Sequence, residues 1–315
     1  MTATARQILR ADADGTPEWL QQRTKGFGGS NAADLHCGHV SRFALWREKV
    51  GLAEPEHITP ELQAIFDYGH SREPEIARLF TERTGLRVRN TGTWARKDQP
   101  WQLANPDRLV GRDGILEIKT TGAYTDAAKD WRNGIVPARA WVQNHWYAHV
   151  TGRTQLHFAA EVDRQLIILG PFQRDEQLIE ELVTEATELW ELVEAREQPE
   201  PTAPEDMPLA YPASVEGEVL EIEPWDDTAQ DLQRLVELQA LIKRLQDEEK
   251  QLKASIQAEM GEAEQIVSDG RVLASWKSTA GRRSLSKDAL IEDGIDVEKY
   301  MRQGKASRRF TVKGA

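Results

Sequence analysis

Asp107, Glu117 and Lys119 follow one another as Asp-x9-Glu-x-Lys inside the stretch ANPDRLVGRDGILEIKTT at 104–121. Ile115, Leu116 and Ile118 read as a buried strand opened by the turn Asp113-Gly114. Glu117 and Lys119 are two apart, so in a strand they share a face. A tight hairpin through 111–114 brings Asp107 back beside them. Two crowded carboxylates repel unless a cation lies between them. A small set of oxygen ligands favours Mg²⁺ or Mn²⁺, and a water retained on such an ion can become a nucleophile. An ammonium beside that water orients it and stabilises negative charge growing on a phosphate. The chemistry that fits is phosphodiester hydrolysis. A lone Glu-x-Lys is more often a surface cross-strand pattern; the upstream Pro106-Asp107 and the apolar frame argue against that here.

The elements around this strand alternate. A short helix is expected over 19–23, then a glycine turn at 26–29, with Ser30 capping a helix over 31–35. Residues 60–84 read as helix, with Pro74 near the start of a segment, which would make Glu73 a cap. Short apolar stretches between Gly, Asn and Pro over 86–118 read as strands and hairpins. Helix returns at 138–150 and strands at 154–169. In 174–197 the residues Ile179, Leu182, Val183, Ala186, Leu189, Trp190 and Val193 keep one helix face apolar. Residues 1–197 are therefore expected to form one α/β (α+β) domain. The stretch QPEPTAPEDMPLAYP at 198–212 holds five prolines and reads as a linker. Residues 213–315 form an extension. Leu235, Leu238, Ile242, Leu245, Leu252 and Ile256 give heptad spacing over 228–260, broken at Glu249, which suits a coiled-coil-like helix or one packed on its own protein. The tail 261–315 contains a hairpin around Asp269-Gly270.

Composition bounds the partners. The chain has 315 residues and a net charge of −12, which disfavours non-specific attraction to nucleic acid. Residues 276–315 nevertheless hold ten Lys/Arg against five Asp/Glu. A DNA partner would need such local basic surface or bound cations. No run reaches the roughly 18 apolar residues of a membrane span, and the first fifteen residues lack a secretory core segment. The lone Cys37 excludes an intrachain disulfide framework and cannot ligate an iron–sulfur cluster. No G-x-x-x-x-G-K-[ST] is present, so no ATP motor is expected. A cytoplasmic protein is expected. His145 and His149 are four apart, but no third ligand accompanies them and a zinc site is not expected.

The pattern of PD followed by EIK resembles the PD-(D/E)xK nuclease superfamily. The wider chain resembles the YqaJ-type viral recombinase exonucleases, relatives of lambda exonuclease. The resemblance covers about residues 17–195 in six ordered blocks: EWLQQRTKGFGGSNAADL, FALWREKVGL, YGHSREPEIARLF, ANPDRLV, ILEIKTT and WVQNHWYAHVTGR. It implies a restriction-endonuclease-like core with a central mixed sheet flanked by helices. It also implies Mg²⁺-dependent 5′-to-3′ digestion of double-stranded DNA ends, leaving single-stranded tails for phage-type recombination.

Carried over residue by residue, Asp107, Glu117, Glu73 and the backbone carbonyl of Ile118 resemble the family's metal ligands, and Lys119 its catalytic lysine. Gln143 resembles a helix glutamine beside the active site. Arg23 offers a planar fork of donors suited to phosphate, and Ser30 stands at a helix start that favours anions. Both match positions that hold a 5′-terminal phosphate in the lambda-like relatives. Relatives of this kind form rings around duplex DNA, so a homo-oligomer, a trimeric ring in the family's form, and a single-strand annealing protein are the implied partners. Two other readings stay open on the residues alone: a structure-specific or restriction-like DNA endonuclease, and a catalytically silent DNA-end-binding or assembly protein. The extension 213–315 is expected to serve oligomer or partner contact through its helix, and DNA contact through SRRFTVK.

Overall fold

The computed structural model describes residues 4–13, 15–53, 58–281, 284–304 and 307–313. The chain divides into two compact units, Met1–Ala210 and Tyr211–Ala315.

The first unit is built on a five-stranded mixed sheet. Its strands are β2 (Val88–Arg89), β5 (Arg108–Val110), β6 (Gly114–Thr121), β7 (Gln155–Val162) and β8 (Gln165–Gln173), in the spatial order β2-β5-β6-β7-β8. Only β6 and β7 run parallel. A parallel pair cannot be joined by a hairpin, and here the connection holds two helices, α5 (Asp126–Arg132) and α6 (Ala138–Thr151). A smaller antiparallel sheet holds β1 (Ala5–Gln7), β3 (Trp94–Arg96) and β4 (Leu103–Ala104), ordered β1-β3-β4.

Strand β6 is central and Gly114–Ile118 are all buried, which explains its nearly continuous apolar run. Period-2 alternation splits its side chains between two cores. Leu116 and Ile118 pack with Ile76, Ala77 and Phe80 of α4 (Pro60–Thr84). Ile115 joins the larger core with Trp131, Trp146 and Phe158. That core also takes residues from α2 (Gly29–His36), α3 (Arg42–Lys49) and α7 (Glu176–Ala195). Trp146 fills its centre and donates its indole N–H to Leu103 O at 2.9 Å. The central mixed sheet flanked by helices is the expected architecture.

Three local expectations change. Helix α4 runs unbroken through Pro74, so Glu73 is a mid-helix residue and not a cap. The missing Pro74 N–H removes the helix donor to the His70 carbonyl; packing of Ile76, Ala77 and Phe80 holds the helix together across that gap. Ser30 does not cap α2. The N-cap is Gly28, and Asn31 Oδ1 accepts the Gly28 N–H at 3.1 Å. Finally, the proline-rich stretch carries a 3-10 turn (Pro204–Asp206) and a short helix, α8 (Met207–Ala210). Asp206 is buried, and Ser41 Oγ donates to its Oδ1 at 2.6 Å. The same carboxylate accepts the N–H groups of Thr202 and Ala203 through Oδ2.

The second unit holds α9 (Asp227–Met260), a hairpin of β9 (Gln265–Ser268) and β10 (Arg271–Ser275), and α10 (Lys287–Glu292). At 1.5 Å per residue the 34 residues of α9 span roughly 51 Å. Phe310–Lys313 lie against its early turns at Leu232, Gln233 and Val236. The middle of the heptad stripe, Leu238, Ile242, Leu245, Leu252 and Ile256, is exposed. No helix among the described residues is long and apolar enough to cross a membrane.

A charged clamp ties α4 to the sheet. Arg72 donates from Nε and Nη2 to the buried Glu161 of β7, at 2.6 Å for the shortest contact, and Tyr68 OH donates at 2.9 Å. The Arg72 hydrogen bonds, helped by Tyr68, hold the Glu161 carboxyl below the ordinary range despite its burial. A depressed acid contributes stability above its unfolded pKa of about 4.3 and loses it as pH falls through the folded value. Glu161→Gln should therefore lower the unfolding midpoint at pH 7 and flatten the decline on acidification. Urea titrations from pH 3 to pH 7 measure this; parallel acid limbs would show that the clamp does not stabilise the fold.

Candidate active site

A cavity of about 440 Å³ opens where the two sheets of the first unit meet α1 (Pro17–Thr24), α2, α4 and α6. Asp107, Glu117, Ile118, Lys119, Glu73, Gln143, Arg23 and Ser30 all line it. Every residue singled out in the sequence for chemistry is thus brought to one place.

The carboxylates arrive through strand register. β5 pairs with β6 as Arg108↔Leu116, so one step further Asp107 faces Glu117. There the backbone ladder stops and a side chain takes over: Asp107 Oδ2 accepts the Ile118 N–H at 2.6 Å. Glu117 is 1% exposed. Among the described residues neither of its oxygens meets hydrogen-bond geometry with a donor, although Lys119 Nζ stands 2.6 Å from Oε1 as an ion pair. Burial first, and the Asp107 charge second, push the Glu117 carboxyl up to about 8. Burial disfavours the Lys119 ammonium, but Glu117 and Asp107 outweigh it and hold this lysine above its ordinary range. Lys119 is therefore a charged donor at neutral pH, not a proton acceptor.

Helix α6 orients the lysine. Lys119 Nζ donates to Gln143 Oε1 at 3.2 Å, and Gln143 Nε2 donates to Tyr147 OH at 2.8 Å. Gln143 and Tyr147 are one helical turn apart, so they share a face. Burial, then the Glu117 charge, raises the Tyr147 hydroxyl well above its ordinary range, so Tyr147 acts as a neutral support. Across the cavity, Arg108 Nη1 donates to Asp107 O at 2.6 Å and stands 3.6 Å from Glu73 Oε2.

The other wall comes from α1 and α2. The Arg23 guanidinium lies 4.5 Å over the Trp19 ring. The turn between the helices is tied to the small sheet by Phe27 N–H to Trp101 O and Leu103 N–H to Phe27 O. A Cβ on Gly29 would sit 2.5 Å from Tyr147 Cε1. Glycine there lets the first turn of α2 lie against α6 and presents Ser30 to the cavity.

The donor set suits a hard cation. Two facing carboxylates, one fully buried with oxygens that no hydrogen bond from the described residues satisfies, are a costly arrangement that a divalent cation relieves. Among the described residues no three His, Cys, Asp or Glu side chains are gathered tightly enough to enclose a metal. Asp107 and Glu117 form the core of the set, while Glu73 is drawn towards Arg108. The two α6 histidines are engaged elsewhere. His149 Nε2 contacts Gln102 Oε1 at 2.8 Å, and burial, then Arg96 and Arg174, push it down to about 4; His145 Nδ1 contacts Trp141 O.

Arg108 and Tyr147 were not singled out from the sequence. Arg108 directly follows Asp107, and Tyr147 stands four after Gln143, so adjacency and helical spacing were the signals available for them. Thr93 and Asn105, also on the cavity wall, carry no such signal.

Residues 18–154 match the model of the YqaJ-like viral recombinase domain. An uncharacterised protein, YqaJ of Bacillus subtilis (strain 168), is 28% identical over an alignment that covers 99% of each chain. Among solved structures, an alkaline exonuclease from Laribacter hongkongensis aligns with 57% of this chain and 94% of its own, at 22% identity and a TM-score of 0.49. A phage-related exonuclease from Haemophilus somnus 129PT aligns with 54% of this chain and 96% of its own, at 15% identity and a TM-score of 0.38. The matched span includes the cavity residues Arg23, Ser30, Glu73, Asp107, Glu117, Lys119 and Gln143.

Proposed function

We propose that this protein is a divalent-cation-dependent exonuclease that digests double-stranded DNA from its ends, 5′ to 3′, and leaves single-stranded tails for recombination. The observation that carries the reading is the buried Glu117, facing Asp107 and touching Lys119. The names of the aligned exonucleases and the viral recombinase family agree with it.

Asp107, Glu117 and the Ile118 carbonyl would hold the cation, with Glu73 completing the set from α4. Mg²⁺, or Mn²⁺ in its place, would supply Lewis-acid polarisation of the phosphate and a water of lowered pKa. Lys119 remains protonated, so it orients the attacking water by donation and stabilises charge developing on the phosphate oxygens. Gln143 fixes the Lys119 ammonium, and Tyr147 fixes Gln143. Arg23 and Ser30 hold the 5′-terminal phosphate, which places the next phosphodiester over Lys119. Water adds to that phosphorus, the P–O3′ bond breaks, and a 5′-mononucleotide leaves. The remaining strand keeps a new 5′-phosphate for the next cycle. A homo-oligomeric ring, a single-strand annealing partner and a cytoplasmic site of action accompany this reading.

The decisive assay offers linear duplex DNA with 5′-phosphate or 5′-hydroxyl ends and a closed circular plasmid, with Mg²⁺ or EDTA. Stepwise loss of the phosphorylated linear DNA in Mg²⁺ alone, with the circle intact, is expected. Cutting of the circle would favour an endonuclease, and binding without cleavage an assembly protein. Lys119→Ala should lower the rate by about 10²–10³-fold and leave DNA binding unchanged. Equal turnover would remove Lys119 from this role.

Glu117→Gln should separate activity from stability. Without cation, folded Glu117 keeps its proton up to about pH 8, whereas an unfolded glutamate loses it near about 4.3. Between these values the folded state binds more protons, so stability falls as pH rises. In EDTA, Glu117→Gln should therefore unfold at higher temperature than wild type, by a margin that grows from pH 5 to pH 8, while being inactive in Mg²⁺. A margin that does not change with pH would show that burial does not hold the Glu117 proton.

A further inference from the structure

Residues 276–287 hold four Lys/Arg and no Asp or Glu. Residues 299–315 hold six and again no acid. The five carboxylates of this region all fall between them, in 288–298. Solubility does not ask for such segregation, since interspersed signs serve it. Each basic stretch also sets aromatic side chains directly against a cation. The first has Trp276-Lys277, the second Lys299-Tyr300 and Arg309-Phe310. All three rings are in water, Trp276 at 48% exposed and Tyr300 and Phe310 at 77%.

The fold of the second unit brings the two stretches together. Trp276 is fixed at the mouth of the β9–β10 hairpin, where its backbone N–H donates to Glu264 O at 2.9 Å. Lys287 opens α10, and its Nζ reaches Met301 Sδ at 3.4 Å. The end of the first stretch thus meets the second between Tyr300 and Arg302. The second stretch then returns to α9, where Phe310–Lys313 lie against the early turns. There Val312 is half-buried while Phe310 stays in water. A segment that served only its own packing would bury the larger ring. The cations are equally uncommitted. In the first unit Arg72, Arg78 and Arg139 are taken up by carboxylates. Among the described residues of the two basic stretches, only Lys299 stands in an ion pair, with Asp296 at 3.6 Å.

We propose that these two stretches form a binding surface for single-stranded DNA, built from residues that take no part in the cavity of the first unit. A nucleotide offers one anionic phosphate beside one flat base, and a cation next to an aromatic ring matches that pair. Bases must be unstacked to meet the rings. In a duplex they stack on each other, so the single strand is the form recognised. Every base has a π-face, so the surface tolerates any sequence. Free cations also gain most from phosphates, because each contact releases a condensed counterion. Digestion of one strand of a duplex leaves the other as this ligand, beside the protein that exposed it. That last link rests on the nuclease reading; the surface itself does not.

The test uses a ligand without ends. A circular oligothymidine of about 16 nucleotides presents no terminus to an end-specific cavity, and EDTA prevents cleavage. Its binding to the full-length chain is measured by fluorescence anisotropy, beside a circle of equal length with abasic sugars. Wild type should prefer the thymidine circle by about tenfold for each base that stacks. The variant Trp276→Ala, Tyr300→Ala, Phe310→Ala should bind both circles equally and keep the wild-type salt dependence, because its cations are intact. Lys277→Gln, Arg302→Gln, Arg309→Gln should flatten that dependence. A wild type that binds neither circle, or both equally, overturns the surface and leaves the nuclease reading standing. So does a chain that ignores the circles and binds phosphatidylserine vesicles, because the patch then meets a membrane. So does an aromatic variant that folds and keeps the wild-type preference. The wild-type comparison holds even where a variant fails to fold. Digestion is read separately, on linear duplex in Mg²⁺. A chain that prefers the thymidine circle but digests nothing keeps the surface and loses the nuclease reading. A digesting wild type should retain the undigested strand on a filter, and the aromatic variant should release it; release by both overturns the link to digestion.

Discussion

A carboxylate removed from water is among the most costly groups a protein can carry, and Glu117 is such a group, met by the Lys119 ammonium at 2.6 Å but left without hydrogen-bond geometry among the described residues. Much of the first unit exists around it. The parallel pairing of β6 with β7 places it at the middle of a five-stranded sheet. Asp107 closes the edge of β5 on the Ile118 N–H and adds a second negative charge nearby. Lys119 supplies the counter-charge, and Gln143 and Tyr147 hold that ammonium from α6. A site made in this way favours a small divalent cation over an organic one, because the groups that need relief are oxygens in a confined space.

The strands and helices of the first unit were legible because their signals are local. Alternation marked β6, and the turn Asp113-Gly114 fixed the hairpin that sets Asp107 opposite Glu117. The apolar face of 174–197 appeared as α7. The misreadings are also physical. Pro74 suggested a boundary because its ring removes a donor, but Ile76, Ala77 and Phe80 bury enough surface to carry the helix through it. Ser30 had the chemistry of a cap, yet Gly28 takes the position, since Gly29 must lie on the Tyr147 ring and moves the helix start forward.

The site itself was legible where residue type and spacing coincide, as in Asp107, Glu117 and Lys119. It was less so where long-range contacts decide the geometry. Nothing near Arg108 in the chain announces that it meets Glu73 of α4, and nothing in Thr93 or Asn105 shows that both face the cavity. These are consequences of how two separate sheets converge, and the pairing of β3 with β4 is not written in any short motif. Resemblance to a family helped with ordered blocks, but blocks report which residues recur and not which atoms are left unsatisfied.

The buried Asp206 has a practical reach. Its hydrogen bond from Ser41 anchors a proline-rich stretch that would otherwise look like a free connector. The joint between the two units therefore falls after Ala210, in a stretch where Tyr211, Val215, Leu220 and Trp225 are exposed. Protease should nick the protein there before it cuts between Pro199 and Pro208. A shortened gene that stops at 197 would discard the carboxylate that steadies the start of α3, whereas one that stops at 210 keeps it.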